Sequence, residues 1–398
     1  MKLAYKAPGL LLLTSIVFSS AESSYADSEI NGNAGISYRY YPEDAVFPGQ
    51  DSKGLSLALQ GEYRHKWNDD FDVFTFVPFY RWDDNDSERT HGDIRQLDFI
   101  KSFSAWEFQA GISKIFWGVT ESAHLVDIIN QTDAIEHLDG EEKLGQPLVR
   151  TSYLYGDGMF SVFVMPYFRE RTHAGISGRL RSQWVVDNDD VSYESSAEEQ
   201  HIDYALRLKH LIGGFDIGLS YFDGTSRQPY YIPNVNTGKL NQYYPQLAQT
   251  GLDLQYTGEK WLWKLEAIYR DTTQEHYYAE VGGFEYTIPG VIGSNIELGL
   301  LAEYHYDSRG EVLEAPFQND IFLGARFVLN DSDGECLIGS FVDLENSSKY
   351  FTLEYSTRLT SELQLIVEAQ VFDDVARQDA FFDIRDDGYI EMEFKYYF

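Results

Sequence analysis

Ile390-Glu391-Met392-Glu393-Phe394-Lys395-Tyr396-Tyr397-Phe398 alternates without a break: Ile390, Met392, Phe394, Tyr396 and Phe398 fall on one face, and Glu391, Glu393 and Lys395 on the other. A period of two is the signature of a half-buried β-strand. Residues 55–67 repeat the code. Leu55, Leu57, Leu59, Gly61, Tyr63 and Trp67 share one side, and Ser56, Gln60, Glu62, Arg64 and Lys66 the other. Turning that second side to lipid would cost about 2–4 kcal/mol for each Arg or Lys near a bilayer midplane, so it is expected to line a lumen.

The same pattern recurs in 202–209, 215–221, 261–270, 296–307, 321–329, 351–359 and 363–372. Short turns rich in Gly, Asn and Asp are expected at 68–70, 156–158, 211–214, 258–260, 330–334 and 360–361, where such residues tolerate positive φ. Mostly longer, charged connections run at 42–53, 83–92, 118–146, 170–200, 223–250, 308–319 and 373–387. Short turns alternating with long loops predict an all-β fold, a transmembrane antiparallel β-barrel of about 16–18 strands, an even number as such barrels require. The uncertainty lies in 93–101 and 278–287, which read as weak strands. Pro78 and Pro166, in the related runs Val77-Pro78-Phe79-Tyr80-Arg81 and Met165-Pro166-Tyr167-Phe168-Arg169, are expected at a bulge or strand end, since proline lacks a ladder donor.

Lys2 and Lys6 precede an apolar run over 10–18 and a small-residue site, Ser24-Tyr25-Ala26. These are the three parts of a cleaved signal peptide, 1–26, with Ala21 as the alternative cleavage point. The apolar run is far short of the roughly 20 residues that a spanning helix needs. The barrel is then 27–398. Asp and Glu number 64 against 31 Lys and Arg, a net charge of −33, which argues against a nucleic-acid partner. The single Cys336 leaves no intramolecular disulfide. Tyr (29) and Phe (26) are abundant enough to supply aromatic girdles at two membrane interfaces.

The loop 118–146 holds the densest signal. Leu125, Ile128, Ile129, Ile135 and Leu138 recur at helix-like spacing, and Asp133 with Glu136 matches a capping box, predicting a short helix. This loop is expected either to fold into the lumen or to cap the mouth. Folded inward, Glu121, Asp127, Asp133 and Glu136 would make an acidic pore constriction facing Arg39, Arg64, Arg207, Arg270, Arg326 and Arg358. Each arginine has the alternative of pairing with a wall carboxylate, as Glu62 with Arg64 or Glu354 with Arg358. A second candidate is the aromatic loop 229–245, where Tyr230, Tyr231, Tyr243 and Tyr244 could bind a ligand or simply stiffen the loop.

Catalytic motifs are missing: there is no G-x-S-x-G, no H-E-x-x-H and no H-x-E followed by C-x-x-C. His124 with Asp127, and His137 with Asp139, read as ion pairs. Asp187-Asn188-Asp189-Asp190 and Asp331-Ser332-Asp333-Gly334 fall short of a full calcium loop. Neither enzyme activity, cofactor nor metal is expected.

The terminal strand ending on Phe398 resembles the last strand of Gram-negative outer-membrane barrels. Trp117-Gly118, Asp127-Ile128-Ile129-Asn130, Leu144-Gly145-Gln146-Pro147, the run 222–229, Tyr243-Tyr244-Pro245 and the run 261–266 resemble a poorly characterised, porin-like group of such barrels. The resemblance covers most of 27–398. It implies a bacterial outer-membrane location, contact with lipid and lipopolysaccharide, and delivery to the barrel assembly machinery through the strand ending in Phe398. It carries over no substrate. The expected function is a porin-like channel for passive diffusion of small solutes, preferring cations. The alternatives are a plugged barrel for ligand binding or surface interaction, and, more remotely, an outer-membrane hydrolase.

Overall fold

The computed structural model describes residues 26–137, 139–291, 295–310, 315–329 and 333–398. Leu138, most of the expected leader and the Asp331-Ser332 part of the acidic turn lie outside them. The described residues form a closed antiparallel sheet of 18 strands. Its first part runs β1 (Ala26–Tyr40), β2 (Lys53–Trp67), β3 (Asp72–Asp83), β4 (His91–Phe103), β5 (Trp106–Ser113), β6 (Gln146–Tyr155) and β7 (Gly158–Met165). After β8 (Val186–Tyr193) the sheet continues with β9 (Asp203–Ile212) and β10 (Phe215–Thr225). After β11 (Tyr230–Asn234) and β12 (Lys239–Tyr244) come β13 (Gln246–Thr257), β14 (Trp261–Thr272), β15 (His276–Val291) and β16 (Ile296–Asp307). The sheet ends with β17 (Asn319–Leu329), β18 (Gly334–Asp343), β19 (Lys349–Arg358), β20 (Leu363–Asp373) and β21 (Tyr389–Tyr397). Strands β8, β11 and β12 make a separate three-stranded sheet among the long loops.

Closure is between β1 and β21, in register from Tyr40↔Ile390 to Asn33↔Tyr397. Gly32 and Phe398 exchange both backbone hydrogen bonds at 3.0 Å, which pairs the seam to the C-terminal residue. Closure leaves no unpaired edge, the condition under which strands can stand in hydrocarbon. Both weakly signalled segments are strands, 93–101 within β4 and 278–287 within β15, and this brings the number to 18.

The alternation is inverted relative to a soluble sandwich. Leu57, Leu59, Met392, Phe394 and Tyr396 are exposed on the outside, whereas Ser56 and Glu391 are buried inside. The buried face of the terminal strand is thus its charged face. Two aromatic belts ring the outside. At the turn end, Trp106 packs on Tyr153 (4.8 Å) and Trp261 on Tyr286 (4.6 Å). At the loop end, Tyr40, Tyr80, Trp82, Tyr269, Tyr278 and Tyr304 are exposed. Such girdles bracket the apolar band of an outer-membrane barrel.

Turn chemistry follows sequence. Asn68, Asp69 and Asp70 have φ of 57°, 56° and 66°, a left-handed run that short polar side chains tolerate. Pro78 sits at a register shift between β3 and β4, and Pro166 immediately follows β7. Long loops are concentrated at the opposite end, but two connections there are short: 273–275 and 344–348.

Candidate functional site

The segment 114–145, between β5 and β6, packs inside the barrel. No helix forms in it among the described residues, contrary to the capping-box reading. The side chains meant to cap it are engaged elsewhere. Arg95 Nη1 donates to Asp133 Oδ2 at 2.5 Å, and the Arg81 guanidinium grips Glu136 with its closest contact at 2.6 Å. The backbone instead doubles back on itself. Leu144 N donates to Gln131 O and Asp133 N to Glu142 O, with a bridge between Thr132 and Lys143. Asn130 ties the two ends together. Its Oδ1 accepts from Ile115 N at 2.9 Å, and its Nδ2 donates to Ser113 O and Leu144 O, each at 2.8 Å.

The apolar residues spaced as for a helix serve docking. Val126, Ile128 and Ile129, with Trp117, are buried against Leu148, Phe163, Met165, Ala205, Leu247 and Ile268 of the wall, and Leu125 packs at the margin. Here the wall departs from polar-inward alternation, because it faces protein rather than water.

Two buried wall carboxylates clamp the turn 119–126. Glu266 on β14 accepts hydrogen bonds from Val119 N (2.7 Å), Thr120 N (3.1 Å), Thr120 Oγ1 (2.7 Å) and Val126 N (3.1 Å). Glu303 on β16 accepts from Glu121 N and Ser122 N, each at 2.9 Å, and from Ser122 Oγ. Gly118 of the Trp117-Gly118 pair is needed at this point, since a Cβ there would stand 3.1 Å from Glu266 Oε1 and 2.8 Å from His124 Nδ1. Sequence alone assigns no role to Glu266, Glu303 or Asn130: the two glutamates look like ordinary lumen polar residues, and Glu266 and Asn130 stand there only within runs that carry the family resemblance.

The four acids of the expected constriction all have basic partners. Glu121 meets Arg326 at 2.5 Å and Lys264 at 3.4 Å, and Asp127 meets Lys143 at 3.4 Å. Asp133 and Glu136 are held by Arg95 and Arg81, arginines outside the expected set. Of that set, only Arg326 pairs with one of these acids. Arg39 pairs across the seam with Glu391, and Arg207 with Asp253 on the wall. Arg270 bonds Gln249, Gln228 and Tyr277. Arg64 is exposed opposite Glu29, and Arg358 donates to Ser361 O beside a short turn, both away from 114–145. The pairs Glu62–Arg64 and Glu354–Arg358 do not form among the described residues.

His124 lies 2.9 Å from Glu141 and 3.8 Å from Glu266, and His137 lies 3.0 Å from Glu368, so neither takes the neighbouring aspartate as partner. Burial alone would lower both, but the carboxylates outweigh it and raise His124 to about 10 and His137 to about 9. A raised folded value stabilises fully below the unfolded value, and that contribution is lost as pH rises through the folded one. The tether of this segment should therefore weaken progressively from about pH 6.5 to about pH 10, and His124→Asn should abolish the part above about pH 9. A conductance that is flat across this range would overturn the tether.

Ser122 Oγ contacts His305 Nε2 at 2.7 Å, but the carboxylate of Glu303 bonds the same hydroxyl instead of orienting the ring's other nitrogen, so the trio lacks a nucleophile relay. His91 with Asp133 and Glu136 has metal-like spacing, yet Arg81 and Arg95 already neutralise both carboxylates.

Above the clamped segment, toward the long loops, lies a cavity of about 880 Å³. One side is aromatic, with Phe317, Phe322, Phe341, Tyr350 and Phe381, where Phe317 stacks on Phe341 at 4.1 Å. Arg171, Arg181, Arg270 and His173 line it elsewhere. Burial, with the Arg171 guanidinium beside it, holds His173 down at about 3, and its Nε2 meets Tyr231 OH at 2.8 Å. Of the four tyrosines of the aromatic loop, Tyr231 is the one that lines the cavity, beside Pro229 and Leu240. Tyr244 is fully buried against Phe168 and Tyr193, Tyr230 bonds Glu275, and Tyr230 pairs with Tyr243 across β11 and β12.

No family model matches the chain, and no curated protein is significantly similar to it. Among solved structures it is similar to OmpT, an outer membrane protein of Vibrio cholerae in its trimer form, at 9% identity over 94% of this chain and 100% of that one, with a TM-score of 0.48. A mutant of Rh. blastica porin aligns at 11% identity over the same shares, with a TM-score of 0.44. At these values the likeness is one of outline, and the barrel stands on its own strand pairing and inverted faces.

Proposed function

We propose that this chain is a porin-like channel of a Gram-negative outer membrane, through which small solutes diffuse passively, with 114–145 as its constriction. The observation that carries this reading is the clamped segment: a polar-lined barrel of 18 strands holds one loop inside by wall carboxylates and still keeps a cavity of about 880 Å³ above it. Barrels of this strand number have room for a solvated lumen. Small ions should be selected as cations. The cavity is lined by eight carboxylates, Glu121, Asp127, Asp139, Glu141, Glu280, Asp307, Glu354 and Asp383, against six Lys and Arg, so the net field of its lining favours cations weakly.

Lipid and lipopolysaccharide against the aromatic belts, and assembly through the strand ending at Phe398, belong to the same reading. Purified protein in planar bilayers should give ohmic conductance, with a reversal potential on the cation side in a salt gradient. Absence of conductance where a control porin conducts would refute the channel. It would favour the second reading, a plugged ligand-binding barrel, which has support in the β8, β11 and β12 sheet and the buried Tyr244.

A further inference from the structure

We infer that the cavity above 114–145 is a binding site for zwitterionic solutes of short-peptide size, with the anionic end on Arg171, Arg181 and Arg270, the apolar body on the aromatic wall, and the cationic end toward Asp139 and Glu354. The argument starts from charge supply. Acids outnumber bases 64 to 31, so a guanidinium without a carboxylate partner does not reflect a shortage of carboxylates. Arg171 donates to Gln131 Oε1 and Arg227 O, Arg181 to the carbonyls of Ile176, Ser182 and Gln183, and Arg270 to glutamine and tyrosine oxygens. None of the three reaches a carboxylate at ion-pair distance among the described residues. All three line one cavity.

The opposite sign is unpaired in the same cavity. Glu354 has no basic partner among the described residues, and it lines the cavity together with Asp139, Glu121 and Glu141. Flexible side chains of opposite charge sharing a small cavity pair directly unless the walls keep them apart. Here the wall between them is mostly aromatic: from Arg270 on β14 the inner surface passes Tyr277 and Ala279 on β15, His305 and Asp307 on β16, Phe322 on β17 and Phe341 on β18 before reaching β19, which carries Glu354. Strands about 4.8 Å apart put β14 and β19 about 24 Å apart along the wall, less across the chord, and the Arg270 and Glu354 side chains reach inward from both ends to narrow that gap. An extended tripeptide spans roughly 10 Å between its termini. A solute with one charge alone would leave one cluster unused, and a purely apolar solute would leave both.

This substrate class deepens the channel reading and rests on it only for passage across the barrel, since binding is measured separately. The probe is the tripeptide Gly-Phe-Gly, compared by calorimetry with its N-acetyl form, its C-terminal amide and Gly-Gly-Gly, on detergent-purified full chain. Gly-Phe-Gly should bind roughly tenfold tighter than each of the other three, the scale of one charge-assisted hydrogen bond or one buried ring. Arg171→Gln/Arg270→Gln should erase the preference for free acid over amide while keeping the preference for free amine over acetyl. Glu354→Gln should do the reverse, so each variant controls for the folding of the other. Equal binding of the free, acetylated and amidated peptides, or variants that leave both preferences intact, would overturn the site. Loss of the acetyl discrimination alone in wild type would overturn the zwitterion in favour of a simple anion. Discrimination without conductance would refute the channel and leave the site standing.

Discussion

Glu266→Ala/Glu303→Ala should raise single-channel conductance roughly twofold or more and increase open-channel noise, because a constricting loop sets the narrowest section of the lumen. The two carboxylates accept from Val119 N, Thr120 N, Thr120 Oγ1, Val126 N, Glu121 N, Ser122 N and Ser122 Oγ. Hydrogen bonds to a charged group contribute about 1.5–3 kcal/mol each, so losing the set far exceeds thermal energy. The donors on 119–126 would then be satisfied only by water, which they reach by leaving the wall. The other half of the segment keeps its grip through Val126, Ile128 and Ile129 in the apolar cluster and through Arg81 and Arg95, so the loop loosens at one end and is not expelled. Glu266→Gln/Glu303→Gln conserves volume but turns an NH₂ toward N–H donors, and should fall between wild type and the alanine pair. A folded alanine variant with wild-type conductance would remove this clamp from the mechanism.

The barrel was legible because its alternation is enforced on every strand by two different solvents. Leu57 and Leu59 outside against Ser56 inside can be read without any knowledge of neighbours. Residues 93–101 read weakly because their inward side chains, Asp93 and Arg95, answer to Arg169 and Asp133 from distant loops, and no local pattern records those partners. The helix expected over 125–138 failed for a related reason. Spacing at 125, 128 and 129 does mark an apolar surface, but the surface it meets is an apolar patch of Leu148, Phe163, Met165 and Ala205 on the inner wall. A strand apolar on both faces gives no hint of which face holds a loop. The four constriction acids were identifiable as a group of loop carboxylates, whereas the residues that position them, Glu266, Glu303, Arg81 and Arg95, belong to strands far away in sequence and look like any other lumen charge.

Glu391→Ala should lower the stability of the barrel by about 3–5 kcal/mol, the cost of leaving a buried charge without its partner. Arg39 and Glu391 stand opposite each other across the β1–β21 seam and are joined by a hydrogen-bonded ion pair, with side chains only 9% and 6% exposed. The Arg39 guanidinium also lies 4.3 Å over the ring of Tyr389, and Arg89 approaches Glu391 at 4.0 Å. Without Glu391 two guanidiniums face each other at the seam that closes the barrel. The double replacement Arg39→Leu/Glu391→Leu removes both charges and should cost far less than either single change, since burying an ion pair gains little over packing apolar groups of similar size. Urea unfolding of refolded protein in lipid vesicles, followed by tryptophan fluorescence, measures both variants. Because the pair sums to zero charge, the double variant should also keep the wild-type reversal potential, in contrast to Glu354→Gln. A double variant that is less stable than Glu391→Ala, or that shifts the reversal potential, would mean that Arg39 acts on passing ions and not on closure.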